Sequence, residues 1–269
     1  MKIDAFFDNL WQDYINMTPQ AEAIANALIA RGEVVQNDHV AFRTFNIGPI
    51  QLKHLEPFIL DMGYSRYEPY HFPSKKLDAF GYIPPSPDMP RIFLSELRVE
   101  ELTDTAQTLV RRLVDQINPD DVADASIFWR GPLWQTPSYE DYEQLASESE
   151  YAAWLSVIGL RCNHFTINVN ALNGINDIEQ MNQMIEELGF SINDAGGRVK
   201  GSPAVLLEQG STKASVQPFT FADGKQHDVT TCYYEFAKRY HDDEGNLYQG
   251  FVAASADKIF ESTDMRKDA

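Results

Sequence analysis

Two stretches decide the fold, HVAFRTFNI at residues 39–47 and NHFTINVNA at residues 163–171. Both are rich in aromatic and branched residues, so each is read as a strand, the first running from His39 to Ile47 before Pro49. Each has a histidine at its start, His39 in one and His164 in the other. The segments downstream of the two strands match as well. After the first strand, Leu52, Leu55, Ile59 and Met62 fall at helical spacing up to Gly63, and three extended stretches come next, YSRYEPYHF (64–72), KLDAFGYI (76–83) and RIFLSELRV (91–99). After the second come a helix from Ile178 to Leu188 ending at Gly189, a short strand at Phe190, and then AVLLEQGS (204–211), ASVQPFTFA (214–222) and VTTCYYEFAKRY (229–240). The order strand, helix, strand, strand, strand therefore occurs twice, although residue identity between the halves is low. The expected fold is α/β (α+β): duplicated βαβββ modules at 37–100 and 161–262 of one enzyme domain (1–269), their curved mixed sheets facing each other around a central pocket.

Outward from the repeats, residues 1–36 read as a pair of helices. Phe6, Leu10, Tyr14 and Met17 lie close to helical spacing, and Thr18 and Pro19 cap and open a second run to Ala30. Residues 101–160 read as a helical insertion: a helix ending near Gln116, then Trp129, Trp134, Tyr139, Tyr142 and Trp154. An aromatic-rich connector of that length packs as a lid or an insertion. The polar tail at 261–269 is expected to fray.

The 269 residues, 43% hydrophobic, suffice to bury a sizeable core. With 22 Lys and Arg against 40 Asp and Glu, a net charge of -18 and no basic run, nucleic acid and anionic membranes are poor partners. The same field repels small anions, so an anionic substrate would need buried, locally placed arginine. The N-terminus lacks the positive segment and apolar run of a signal peptide, and no stretch is long and apolar enough to span a bilayer. Two cysteines, Cys162 and Cys232, form neither a metal knuckle nor a disulfide framework, so the reducing cytoplasm is the expected location.

The histidines at equivalent positions are the first chemical signal. A carboxylate lies in the last strand of each module, Glu96 and Glu235, so two histidines and one or two carboxylates could converge. Two histidines and one carboxylate leave three open octahedral positions, the donor set of non-haem iron(II) oxygenases. Arg43 shares a strand face with His39, about 13 Å away along the strand, and could hold an anionic group of a metal-bound substrate. Its counterpart Asn168 carries no charge. Structural roles stand beside these readings. Either histidine could serve only as a hydrogen-bonded core residue. Glu235, among Tyr233, Tyr234 and Phe236, could face water or pair with Lys238 or Arg239, and Arg43 could pair with Glu96 or another buried acid. Cys162 shares a face with His164, whereas His54, His71, His227 and His241 are read mostly as water-facing. No GxSxG, GxxxxGK[ST] or HExxH motif competes.

The stretches DHVAFRTF, RIFLSEL, NHFTINVN and YYEFAKR together resemble the 2-oxoadipate dioxygenase/decarboxylase family, over residues 38–263. That family is similar in architecture to the vicinal oxygen chelate superfamily, which is built from βαβββ modules. The resemblance implies that His39, His164 and Glu235 are metal ligands, that Arg43 binds substrate and that Glu96 is the non-ligand copy. It also implies Fe(II) as cofactor, with Zn or Ni as alternative occupants, and a 2-oxo acid, best 2-oxoadipate, reacting with O2 to give 2-hydroxyglutarate and CO2. The chain looks like a short form, without the larger insertions of longer bacterial members. Two rival readings keep the fold: an oxygen-independent Zn or Ni isomerase or hydrolase, and a non-catalytic ligand-binding protein.

Overall fold

The structure is a computed structural model that describes residues 2–255; the 261–269 tail and the end of the 161–262 module lie outside the described residues. Helix α1 (Ile3–Met17) buries Phe6, Leu10, Tyr14 and Met17, the stripe marked by their spacing. Helix α2 (Pro19–Ala30) starts at Pro19 without a side-chain cap from Thr18, so proline's fixed φ sets the start. The first module then runs β1 (Asn37–Phe45), α3 (Leu52–Leu60), β2 (Ser65–Phe72), β3 (Leu77–Ile83) and β4 (Arg91–Leu97). The insertion contributes α4 (Asp104–Val114), α5 (Tyr139–Glu148) and α6 (Glu150–Ile158). The second module runs β5 (Cys162–Asn168), α7 (Ile178–Glu187), β6 (Lys200–Ser202), β7 (Leu207–Ser211), β8 (Val216–Thr220), β9 (Gln226–Thr230) and β10 (Tyr233–Arg239).

One curved sheet of eight strands runs through both modules in the order β2-β3-β4-β1-β5-β10-β7-β6. β1 is parallel to β4 and β5 is parallel to β10, while β1 and β5 meet antiparallel at the centre. The order is therefore a palindrome, and the modules join edge to edge through their histidine strands. This corrects the expectation of two facing sheets: the curvature of a single sheet encloses the site.

The second module departs from its expected pattern in two places. Phe190 belongs to no strand; nearby, Ile192 makes an isolated bridge to Thr212, and the edge strand is the three-residue β6. So short a strand, with Gly201 at φ 83°, leaves no periodic signal. The 214–222 stretch leaves the main sheet, because β8 pairs with β9 as a separate hairpin, so VTTCYYEFAKRY divides into β9 and β10. A repeated turn marks the common plan more clearly than residue identity does. Pro73–Lys75 and Pro203–Val205 each form a short 3-10 turn closed by a left-handed non-glycine residue, Lys76 (φ 58°) and Leu206 (φ 62°), before Leu77 and Leu207.

Strand alternation separates two faces. On the outer face, Trp11 and Tyr14 of α1 pack on Phe165 and Tyr234, and Phe6 packs on Phe42. Each fully buried ring among them contributes roughly 1.5–3 kcal/mol of apolar burial. The Tyr14 hydroxyl donates to the Tyr233 carbonyl and so ties α1 to β10. The inner face carries His39, Arg43, His164, Tyr233 and Glu235. Helix α6, buried from Tyr151 to Ile158, stands against it. The Thr44 amide donates to the Tyr151 hydroxyl (3.0 Å), which donates to the Ser95 carbonyl (2.8 Å), and Trp154 Nε1 donates to the Thr231 carbonyl (2.6 Å). The end of the insertion is thus a fixed wall of the interior.

Candidate metal centre

Strand register brings the histidines together. Across the antiparallel β1–β5 pair His39 lies opposite Thr166 and His164 opposite Ala41, so the two histidines are diagonal neighbours. Their rings are edge-to-face with centroids 5.4 Å apart and Nε2 atoms 3.4 Å apart. In the parallel β5–β10 pair Glu235 lies beside Thr166, which delivers its carboxylate to the same spot. Glu235 Oε1 is 3.4 Å from His39 Nε2, and Oε2 is 3.3 Å from His164 Nε2. One donor atom from each of the three buried residues lies within 4.8 Å of the other two.

The far side of each ring is held as well. His39 Nδ1 is 2.8 Å from Asp38 Oδ2, and His164 Nδ1 is 3.1 Å from Asn163 Oδ1. A proton on Nδ1 satisfies both contacts and turns both Nε2 lone pairs toward the shared space. Asp38 is in turn clamped by Arg239, Nε to Oδ1 at 2.7 Å and Nη2 to Oδ2 at 2.9 Å, with Arg91 Nη1 3.4 Å from Oδ1. Burial pushes the Asp38 pKa up, but Arg239 and His39 outweigh it and hold the carboxyl well below its usual range. Burial, helped by the charges of His39 and Arg43, holds the His164 pKa well below the ordinary imidazole value. Glu235 goes the other way: burial raises its pKa against His39 and against Gln209, whose Nε2 donates to Oε1 at 2.6 Å. The desolvated carboxylate faces the two imidazoles with no Lys or Arg in ion-pair contact among the described residues, and a divalent ion between the three would offset that cost. Two imidazoles and one carboxylate fit a transition metal better than the oxygen-seeking Ca or Mg.

Arg43 is buried on the same inner face. Its Nη1 lies 2.8 Å from Glu150 Oε1 at the start of α6, and its guanidinium carbon is 5.0 Å from the ring centres of Tyr151 and Trp154. Its acidic partner therefore comes from the insertion and not from Glu96. Glu96 does not converge on the histidines: it lies on the outer face and accepts from the Leu52 amide at the start of α3 (2.8 Å). Nor is it the copy of Glu235. His39 pairs with Arg91 and His164 with Tyr233; two residues further along lie Phe93 and Glu235, so Phe93 occupies the position equivalent to Glu235. The odd spacing between Phe93 and Glu96 puts the latter on the opposite face.

Glu235 pairs with neither candidate cation, since Arg239 is engaged by Asp38 and Lys238 Nζ donates to the Asn176 carbonyl. The Cys162 thiol donates to the His164 carbonyl at 3.1 Å and so braces the strand backbone. Burial pushes the Cys232 thiol up to about 12, and both cysteines are free. His54, His71 and His241 are exposed, and the half-buried His227 stacks on Tyr139 at 3.5 Å. Sequence reasoning missed Asp38, Gln209, the ring of Tyr233 stacked on His164 at 4.7 Å, and Phe251, whose ring lies 4.9 Å from His39. Tyr233 shares a strand face with Glu235 and so was within reach of parity; Asp38, next to His39, has the opposite parity, and the strand register is irregular between Asn37 and His39. Phe251 comes after the last strand and has no spacing signal.

The sequence profile of the 2-oxoadipate dioxygenase/decarboxylase family matches residues 8–246. The chain is 37% identical to the chloroplastic/amyloplastic 2-oxoadipate dioxygenase/decarboxylase of Oryza sativa subsp. japonica, over 97% of this chain and 79% of that protein. Among solved structures, the hydroxyglutarate synthase of Oryza sativa in complex with 2-oxoadipate is similar with a TM-score of 0.92 and 34% identity, covering 97% of this chain and 92% of that one. A protein from Shewanella frigidimarina is similar with a TM-score of 0.89 and 42% identity, covering 94% and 98%. A protein assigned to the glyoxalase superfamily from Ralstonia eutropha, at 22% identity and a TM-score of 0.77 over 93% of this chain and 85% of that one, shares the fold.

Proposed function

The chain belongs to the 2-oxoadipate dioxygenase/decarboxylase family, and from that membership we propose that it converts 2-oxoadipate and O2 into 2-hydroxyglutarate and CO2 at an iron(II) centre held by His39, His164 and Glu235. The observation that carries this reading is the convergence of those three donors within 4.8 Å, all buried, in a chain of that family. The balance closes with no further reductant: the 2-oxo carbon becomes the new carboxylate, the adjacent carbon gains a hydroxyl, and the old carboxylate leaves as CO2, so one atom of O2 enters each new group. Bound at the triad, iron(II) would supply electrons and open positions for a 2-oxo acid and O2.

The chain's own residues supply the rest. Asp38 and Asn163 hold the imidazole protons on Nδ1, and Gln209 keeps the Glu235 carboxylate oriented. Arg43, whose guanidinium Glu150 holds in place, binds a substrate carboxylate by charge-assisted hydrogen bonds. Phe251 over His39 and Tyr233 over His164 keep water from the donors. Two buried, unbridged cysteines support a reducing compartment such as the cytoplasm; no described helix is long and apolar enough to cross a membrane.

Turnover of 2-oxoadipate under 18O2 tests the reaction. Two labelled atoms in 2-hydroxyglutarate are expected. Turnover that proceeds without O2 would replace this reading with the hydrolase or isomerase one.

A further inference from the structure

Tyr233 stands inside the site with its hydroxyl unassigned. It precedes Glu235 by two residues and so shares its inner face, it pairs in register with His164, and its ring stacks on that imidazole at 4.7 Å. The side chain is fully buried, and its hydroxyl has no hydrogen-bond partner among the described residues. Across the sheet His164 lies opposite Ala41, and Arg43 is two residues beyond Ala41 on β1, so the arginine shares the inner face with Tyr233. A buried hydroxyl without a partner is a cost to the free protein, and a phenol beside a guanidinium is a donor set for a carboxylate.

The geometry points to Tyr233 as a substrate-contacting, specificity-determining residue: its hydroxyl donates to the distal carboxylate of a dicarboxylic 2-oxo acid, beside Arg43. The inference rests on the proposed reaction. In that reaction the 2-oxo group and its adjoining carboxylate belong at the metal donors, so the end of the molecule near Arg43 is the far carboxylate. Tyr234 provides an internal control. It is the next residue on the same strand, its hydroxyl is also buried and without a partner among the described residues, and its ring lies on the outer face against Trp11 and Tyr14.

The experiment is anaerobic calorimetric binding of 2-oxoadipate and of 2-oxohexanoate, which lacks the second carboxylate, to iron(II)-loaded wild type, Tyr233→Phe and Tyr234→Phe. Tyr233→Phe should keep wild-type metal content and an undiminished melting temperature. It should bind 2-oxoadipate about 10- to 100-fold more weakly, the range for a hydrogen bond to a charged group, and 2-oxohexanoate as wild type does. Tyr234→Phe should bind both acids as wild type does. Equal weakening for the two acids would place the hydroxyl at the metal end and overturn the assignment, as would no weakening or a melting temperature lowered by several degrees. Wild type that binds neither acid would instead overturn the substrate reading beneath it.

Discussion

The two modules share one plan and fill it with different chemistry. Counted from the histidines, His39 matches His164, and the flanking Asp38 matches Asn163. On the partner strands Arg91 matches Tyr233 and Phe93 matches Glu235; one strand further out, Ala79 matches Gln209 and Gly81 matches Ser211. In the second module these positions place a carboxylate and the amide that orients it on the inner face. In the first they carry aromatic packing. The Phe93 ring lies 4.9 Å from Phe251, and a Cβ on Gly81 would meet the Phe251 ring at 3.3 Å. Each first strand thus brings one histidine to the centre, and the remaining candidate metal donor comes from the second module alone. The first module contributes a charged clamp instead: Asp38 behind its histidine and Arg43 further along its strand, where the second has neutral Asn163 and Asn168.

This asymmetry can be broken position by position. Removing a shared ligand should have the largest effect. His39→Ala and His164→Ala should each abolish stoichiometric metal in anaerobic iron titrations, a greater loss than the roughly 10- to 100-fold that a supporting residue costs. Full metal content in either would show that the centre does not need both modules. Next is the supporting pair. Asp38→Asn would make the two modules alike behind their histidines but leave Arg239 buried without its anion, so denaturant unfolding should register a loss of about 3–5 kcal/mol. Asn163→Asp should not repair it, because among the described residues no arginine pairs with that position as Arg239 pairs with Asp38; recovery in the double variant would contradict the assignment.

Arg43→Met should keep its metal and raise KM for 2-oxoadipate by at least about tenfold, the scale of one charge-assisted hydrogen bond. An unchanged KM would remove Arg43 from substrate binding. Glu96→Gln should have the smallest effect. Burial raises the Glu96 pKa, so the folded state holds that proton more tightly than the unfolded chain. Its contribution to stability is then largest in acid and is lost as pH rises through the raised pKa. Glutamine still accepts from the Leu52 amide, so the variant should flatten that decline in a pH series of unfolding curves and leave metal content intact. A loss of metal would return Glu96 to the site.

Much of this plan was legible in the sequence, for physical reasons. His39 and His164 stood out because strand patterning places them at the same point of two repeats, and Arg43 because parity puts it on the histidine face. Alternation gave the strands of the first module closely, as each exceeds six residues. The second module was harder to read because β6 is only three residues long and the β8–β9 hairpin carries strand-like sequence that pairs outside the main sheet. Glu96 misled because a shared residue type in a terminal strand is a weaker guide than register, and three residues change the face. Asp38, Gln209 and Phe251 act through contacts between distant strands and the chain beyond β10, which no local spacing encodes.

At the centre stands the claim that one histidine from each module and a carboxylate from the second make an oxygen-using metal centre. The most direct test is O2 uptake with 2-oxoadipate by wild type and His164→Ala after anaerobic loading with iron(II). Wild type should consume one O2 per CO2 released, and the variant should take up none. Wild type that holds stoichiometric iron and consumes no O2, or a variant that consumes it equally well, would contradict the claim.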